Sequence, residues 1–186
     1  MAHRHLVKFF EDERNLFATV ARFIGDGLAA GQPALVIATP WHRRGILEHL
    51  GQHVSHAGGT APFGGLVMID AEATLSRFMA GDEPDAGRFM HTIGDLVEGL
   101  PRGAGYVPVR AYGEMVDLLW RAGRTEATIE LEHLWNAAAA AHHLSLLCGY
   151  CVRHISDDME RLQHVCCLHT DVIAPSEVTN PLGSAT

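Results

Sequence analysis

Five short, largely apolar runs divide this chain, at residues 6–10, 33–39, 66–69, 106–111 and 144–148. Between them lie longer stretches whose apolar residues recur every three or four positions, the period of a helix packed on one side. The run Pro33-Ala-Leu-Val-Ile-Ala-Thr39 shows no polar alternation, so its strand must be covered on both faces. Strands that alternate with helices imply crossover connections and a mostly parallel sheet. The predicted fold class is therefore α/β, with a central sheet flanked by helices in three layers.

The helical stretches can be placed with their stops. Residues 11–30 carry Leu16, Phe17, Val20, Phe23, Ile24 and Leu28 at helical spacing, with Gly31 as a C-terminal cap. Residues 41–50 form the next helix, and residues 51–65, with Gly58, Gly59, Gly64 and Gly65, read as a loop. Helices follow at 71–79 and 86–98, separated by Asp82-Glu83-Pro84-Asp85. Residues 116–141 form one helix or two, with Gly123 as the break, and 157–168 form the last. Residues 3–174 make a single domain, and the polar stretch 175–186 is expected to be a flexible tail.

Charge and lysine usage exclude several functions. The 186 residues carry a formal net charge of -8, which argues against direct nucleic-acid binding, since phosphate neutralisation needs a basic face. No stretch is apolar for the roughly 18 residues a membrane helix needs. The N-terminus lacks a signal-peptide core, so the expected compartment is the cytoplasm, with reduced cysteines. Lys8 is the only lysine, and it lies in the strand run Leu6-Val-Lys-Phe-Phe10. A phosphate loop needs its lysine inside a glycine turn that opens a helix. Phosphate-loop hydrolysis is thus not expected, and the chain is read as a non-enzyme that needs no cofactor.

At Arg110-Ala-Tyr-Gly-Glu-Met-Val-Asp-Leu-Leu-Trp120 the chain resembles a known family. His5-Leu-Val-Lys-Phe9-Phe-Glu-Asp12, Phe23-Ile-Gly-Asp-Gly27, Leu131-Glu132-His-Leu-Trp135-Asn136, Leu146-Leu-Cys148-Gly-Tyr150 and His169-Thr-Asp-Val-Ile173 add to the match, in order, over roughly residues 3–177. The family is MEDS, the sensory domain of methanogen and methylotroph regulators. The resemblance implies a RecA/KaiC-like fold with a degenerate phosphate loop and a sensory role in prokaryotic signal transduction. It implies as partner a small molecule, a histidine kinase or another regulatory protein, with a homodimer also open. The alternative is a degenerate nucleotide-binding or residual ATPase-like protein. Cys151 stands where the family commonly has proline.

Ligands of open parallel sheets bind beyond the carboxyl ends of the strands. That rule selects Thr39 with His42, Asp70, Arg110 with Tyr112 and Glu114, and Tyr150 as candidate ligand-binding residues. Arg110 and Glu114 flank a glycine turn at Gly113 and can form a structural ion pair, orient a ligand or take part in chemistry. Trp120 and Trp135 fit core packing better than a ligand cage. Cys148, Cys151, Cys166 and His169 have zinc-like spacing. Against a metal, Cys166 and Cys167 point about 100° apart on a helix, and a buried thiol at Cys148 packs as a small apolar group. No metal is expected, with that set as the alternative, and most of the 13 histidines are assigned to the surface.

Overall fold

The structure, a computed structural model, describes residues 4–56, 64–101, 107–155 and 159–175. Six strands form one sheet in the order β3-β2-β6-β7-β1-β8. They are β1 (Arg4–Phe10), β2 (Ala34–Ala38), β3 (Leu66–Asp70), β6 (Val109–Gly113), β7 (Leu144–Cys151) and β8 (Asp171–Ile173). Every pairing in this sheet is parallel. Helices α1 (Glu13–Ala29) and α2 (Pro40–His56) cover one face. The other face carries α3 (Ala71–Phe78), α4 (Ala86–Glu98), α5 (Met115–Arg121), α6 (Thr125–His142) and α7 (Met159–Cys167). The three-layer α/β expectation holds, and the central strands are buried along their length.

Alternation within each strand separates two cores. Leu6, Phe10, Val36, Tyr112 and Leu147 pack against α1 and α2. Val7, Phe9, Leu35, Ile37, Leu146 and Cys148 face the larger helical layer. Asp12, Asp70 and Asp85 each accept a backbone N–H from the first turn of α1, α3 and α4, which fixes three helix starts. Gly123, at φ 74°, makes the break between α5 and α6. Trp120 and Trp135 are buried in the core, as their spacing predicts.

Several boundaries move. Helix α2 continues to His56 where a loop is expected, and residues 57–63 lie outside the described residues. Strand β6 starts at Val109, and residue 106 lies outside the described residues, as do 157–158 of the last helix and 176–186 of the tail. Strand β7 runs on to Cys151, whose N–H donates to the buried Asp117 Oδ1 at 2.9 Å. A proline there has no N–H to give. Strand β8 and a small hairpin, β4 (Met79–Ala80) with β5 (Glu83–Pro84), are unexpected. Both are too short for a periodicity to show.

Candidate functional site

Lys8 is buried in β1, and its Nζ donates to the carbonyls of Ala174 at 2.7 Å and Pro175 at 3.3 Å. Its charge is held among C-terminal carbonyls on the side of the sheet's edge strand. The turn from β1 into α1 is instead Glu11-Asp12, without glycine or lysine. Glu11, Asp12, Glu13, Arg14, Trp41, Arg44, Glu48, His49 and Arg153 wall an open cleft of about 690 Å³. Glu11 follows β1 and Arg153 lies just past β7. From these neighbouring strands the chain departs in opposite directions, toward β2 through α1 and toward β8 through α7, on opposite faces. That is the switch-point geometry at which open α/β sheets bind ligands.

Beneath the cleft lies a buried carboxylate. Glu114, directly after β6, accepts the Thr39 N–H at 2.5 Å, the Tyr112 hydroxyl at 3.2 Å and a contact from His42 Nδ1 at 2.5 Å. His42 Nε2 faces Glu13 Oε1 at 3.7 Å, and Trp41 Nε1 donates to Glu13 Oε2 at 2.8 Å. Burial opposes charge on His42, but the hydrogen bond and charge of Glu114, with Glu13 and Asp117 adding, raise its pKa. Burial, then the charge of Glu114, drives the Tyr112 phenol well up. Tyr112 reaches this position only because Gly149 of β7 has no Cβ, which would lie 2.7 Å from its hydroxyl.

A second polar cluster lies on the opposite face of the sheet, sealed between β1, β7, α6 and the link from α7 to β8. His5 Nε2 lies 3.3 Å from Cys148 Sγ and 3.3 Å from Glu132 Oε2. His169 Nε2 lies 3.4 Å from Glu132 Oε1, and Cys148 Sγ lies 3.5 Å from Glu132 Oε2. Tyr150 donates to Glu132 Oε1 at 2.6 Å. Burial alone would raise the Glu132 pKa, but the proximity of the His169 charge, with His5 adding, outweighs it and holds it well below the carboxylate range. The same pairing raises His169 against the cost of burial, whereas burial and Glu132 push the Cys148 thiol well up.

The selected residues thus fall in separate places. Thr39, His42, Tyr112 and Glu114 come together. Asp70 caps α3 and lies 3.4 Å from Arg43 Nη2. Tyr150 belongs to the sealed cluster. Arg110 does not pair with Glu114: four residues of strand separate them by about 13 Å. It turns instead onto α1, donates to Gln32 Oε1 at 2.7 Å and Phe23 O at 3.2 Å, and stacks over the Phe23 ring at 4.9 Å. Gly27 makes room for it, since a Cβ there would lie 2.4 Å from Arg110 Cγ. Gly113 ends β6 without a positive φ, so no flexible turn is required of it. Of the cysteine set, Cys148 and His169 converge, while Cys151 faces the opposite core and Cys166 lies partly buried on α7. His5 is buried, an exception to the reading that most of the histidines lie on the surface. The missed residues are Glu13, His5 and Glu132 as ligand-like groups. A histidine at alternate phase to Lys8 in an apolar strand is the signal that points to His5.

The model of one protein family, MEDS, the MEthanogen/methylotroph, DcmR Sensory domain, matches residues 4–170. No curated protein matches the chain. Among the described residues no helix is long and apolar enough to cross a membrane.

Proposed function

Because this chain belongs to the MEDS family of sensory domains, we propose that it registers a small polar ligand in the cleft at the carboxyl ends of β1 and β7. One observation carries this: a continuous polar line runs from the cleft wall to the start of α5. It passes from Trp41 to Glu13, from Glu13 to His42, and from His42 to Glu114, the residue that opens α5. A ligand that draws Glu13 or Trp41 away alters the charge environment of His42. Glu114 then holds Thr39 and Tyr112 differently, and the start of α5 responds. Such coupling needs a ligand with different affinity for the two states, which the partner side chains supply.

The cleft favours a molecule with both charged ends and a flat or apolar portion. Its wall offers the carboxylates Glu11, Asp12, Glu13 and Glu48, the guanidinium groups of Arg14, Arg44 and Arg153, and the Trp41 ring. We infer that the frame is RecA/KaiC-like with a degenerate phosphate loop, and that the domain is not catalytic. Supporting this, the first strand-to-helix turn presents Glu11 and Asp12 where a phosphate would need backbone amides and a lysine. Output then passes to a regulatory protein such as a histidine kinase. Trp41 is 58% exposed while Trp120 and Trp135 are buried, so tryptophan fluorescence can report the cleft. Screening small polar molecules should find one that changes this fluorescence, and the change should vanish in Trp41→Phe and weaken in Glu13→Ala. Amide shifts that map a binder away from residues 11–14, 41–49 and 153 would reject the cleft.

A further inference from the structure

The sealed cluster plays no part in the line from the cleft to α5, yet it gathers four groups with metal-ligand chemistry in one place. The Nε2 atoms of His5 and His169, the Cys148 thiol and the Glu132 carboxylate all lie within 4.8 Å of one another. We infer that these four side chains form a closed site for a divalent transition-metal cation with the tetrahedral preference of zinc.

Spacing is the first support. A tetrahedral zinc bonded at about 2.0 Å to nitrogen and oxygen and about 2.3 Å to sulfur holds its ligand atoms roughly 3.3–3.6 Å apart. The cluster shows 3.3 Å from His5 Nε2 to Cys148 Sγ and 3.3 Å from His5 Nε2 to Glu132 Oε2. Glu132 Oε1 lies 3.4 Å from His169 Nε2, and Glu132 Oε2 lies 3.5 Å from Cys148 Sγ. His5 Nε2, Cys148 Sγ and Glu132 Oε2 therefore form one face of a ligand tetrahedron, with His169 Nε2 beside the other carboxylate oxygen and within 4.8 Å of the rest.

Tautomers are the second. The Asn136 amide is oriented by donating its Nδ2 to Leu168 O at 3.0 Å, so Oδ1 faces His5 Nδ1 at 3.0 Å. His5 Nδ1 must then carry a proton, and in the neutral ring Nε2 points a lone pair into the cluster. His169 Nδ1 faces Val165 O at 2.7 Å and must also carry a proton. Its Nε2 is buried, aimed at the cluster, and makes no hydrogen bond even though Glu132 is near. Histidine ligands that use Nε2 are oriented by such Nδ1–H contacts to carbonyl or amide oxygens. Tyr150, donating to Glu132, completes the outer set.

Charge is the third. A divalent cation with one thiolate, one carboxylate and two neutral imidazoles is neutral overall, which a fully buried site requires. Two imidazoles and a thiolate exclude magnesium and calcium, which demand oxygen. No water has access, so the site holds its cation structurally. It ties β1, α6 and β7 to His169, the residue that leads from α7 into β8.

Cobalt(II) and zinc(II) salts test this on the whole chain without a histidine tag. The protein is unfolded with chelator and refolded with either metal, because the site is sealed. About one equivalent should remain after desalting, and the cobalt form should show a thiolate-to-metal charge-transfer band. Cys148→Ser should lose the band, while Cys151→Ser and Cys166→Ser, outside the cluster, keep it. Asn136→Ala should bind roughly 10–100-fold more weakly. Should Cys148→Ser not fold, the charge-transfer band of the unmodified protein still decides. Refolded protein with native circular dichroism and below about a tenth of an equivalent of metal overturns the site. Stoichiometric metal without the thiolate band overturns it as well, by placing the cation elsewhere.

Discussion

Glu114 and Glu132 are buried carboxylates on opposite faces of one sheet, and the fold handles them in contrasting ways. Glu114 is satisfied by a backbone amide, a tyrosine and a histidine whose other ring nitrogen faces Glu13 in the cleft wall. Its neighbourhood reaches solvent within two side chains. Glu132 is enclosed by His5, His169, Cys148 and Tyr150, each itself shut away from water. A site of the first kind can exchange protons and ligands with the solution. A site of the second kind keeps what it acquired during folding. Burial alone therefore does not mark function; the distance from the buried charge to water decides what the charge can respond to.

The largest effect should separate the two carboxylates. Glu132→Ala leaves His169 without its counter-charge and His5 and Tyr150 without their buried partner, and the loss should be about 3–5 kcal/mol in urea unfolding. A loss under about 1 kcal/mol would mean that water reaches the cluster after all. Glu114→Gln should cost less, about 1–3 kcal/mol, because its amide still accepts the Thr39 N–H and His42 can relax toward the cleft. Equal losses for the two variants would break the contrast.

Acidity sharpens it. His42 and His169 both have raised folded-state pKa values. The stability each contributes is complete below the unfolded value of about 6.5 and is lost as pH rises through the folded value. Unfolding midpoints should fall as pH is raised from about 6.5. His42→Gln should remove part of that slope, and metal loading should remove the part due to His169, since a ligated imidazole takes no proton. A flat profile in the metal-free protein would contradict both pairings. The smallest effect belongs to Arg110, which touches neither cluster. Arg110→Lys gives up the stacking on Phe23 and should cost about 1 kcal/mol or less, with the cleft's fluorescence response unchanged. A lost response would tie α1 to the sensing line.

Legibility followed chain distance. Strand β2, helix α4 and the break at Gly123 could be read directly because each depends on neighbours in sequence. Thr39, His42, Tyr112 and Glu114 could be selected because the rule of strand ends needs only element order. Arg110 does not partner Glu114 despite their closeness in sequence, because on an extended strand the two ends diverge and Arg110 turns onto α1. The four residues of the sealed cluster come from positions 5, 132, 148 and 169, and spacing between neighbouring cysteines points to the wrong set.

By itself, then, the order of apolar runs determined a parallel α/β sheet with two covered faces, and placed the chain's single lysine inside its first strand. Those properties are set by local periodicity and residue type. Only the tertiary structure decided which polar side chains meet. Strand order sets β1 beside β7, so His5 meets Cys148 across the sheet, and α6 and the α7–β8 link lay Glu132 and His169 over them. The physical reason is that a parallel sheet pairs strands distant in sequence through crossovers, and no local pattern records which strand lies next to which.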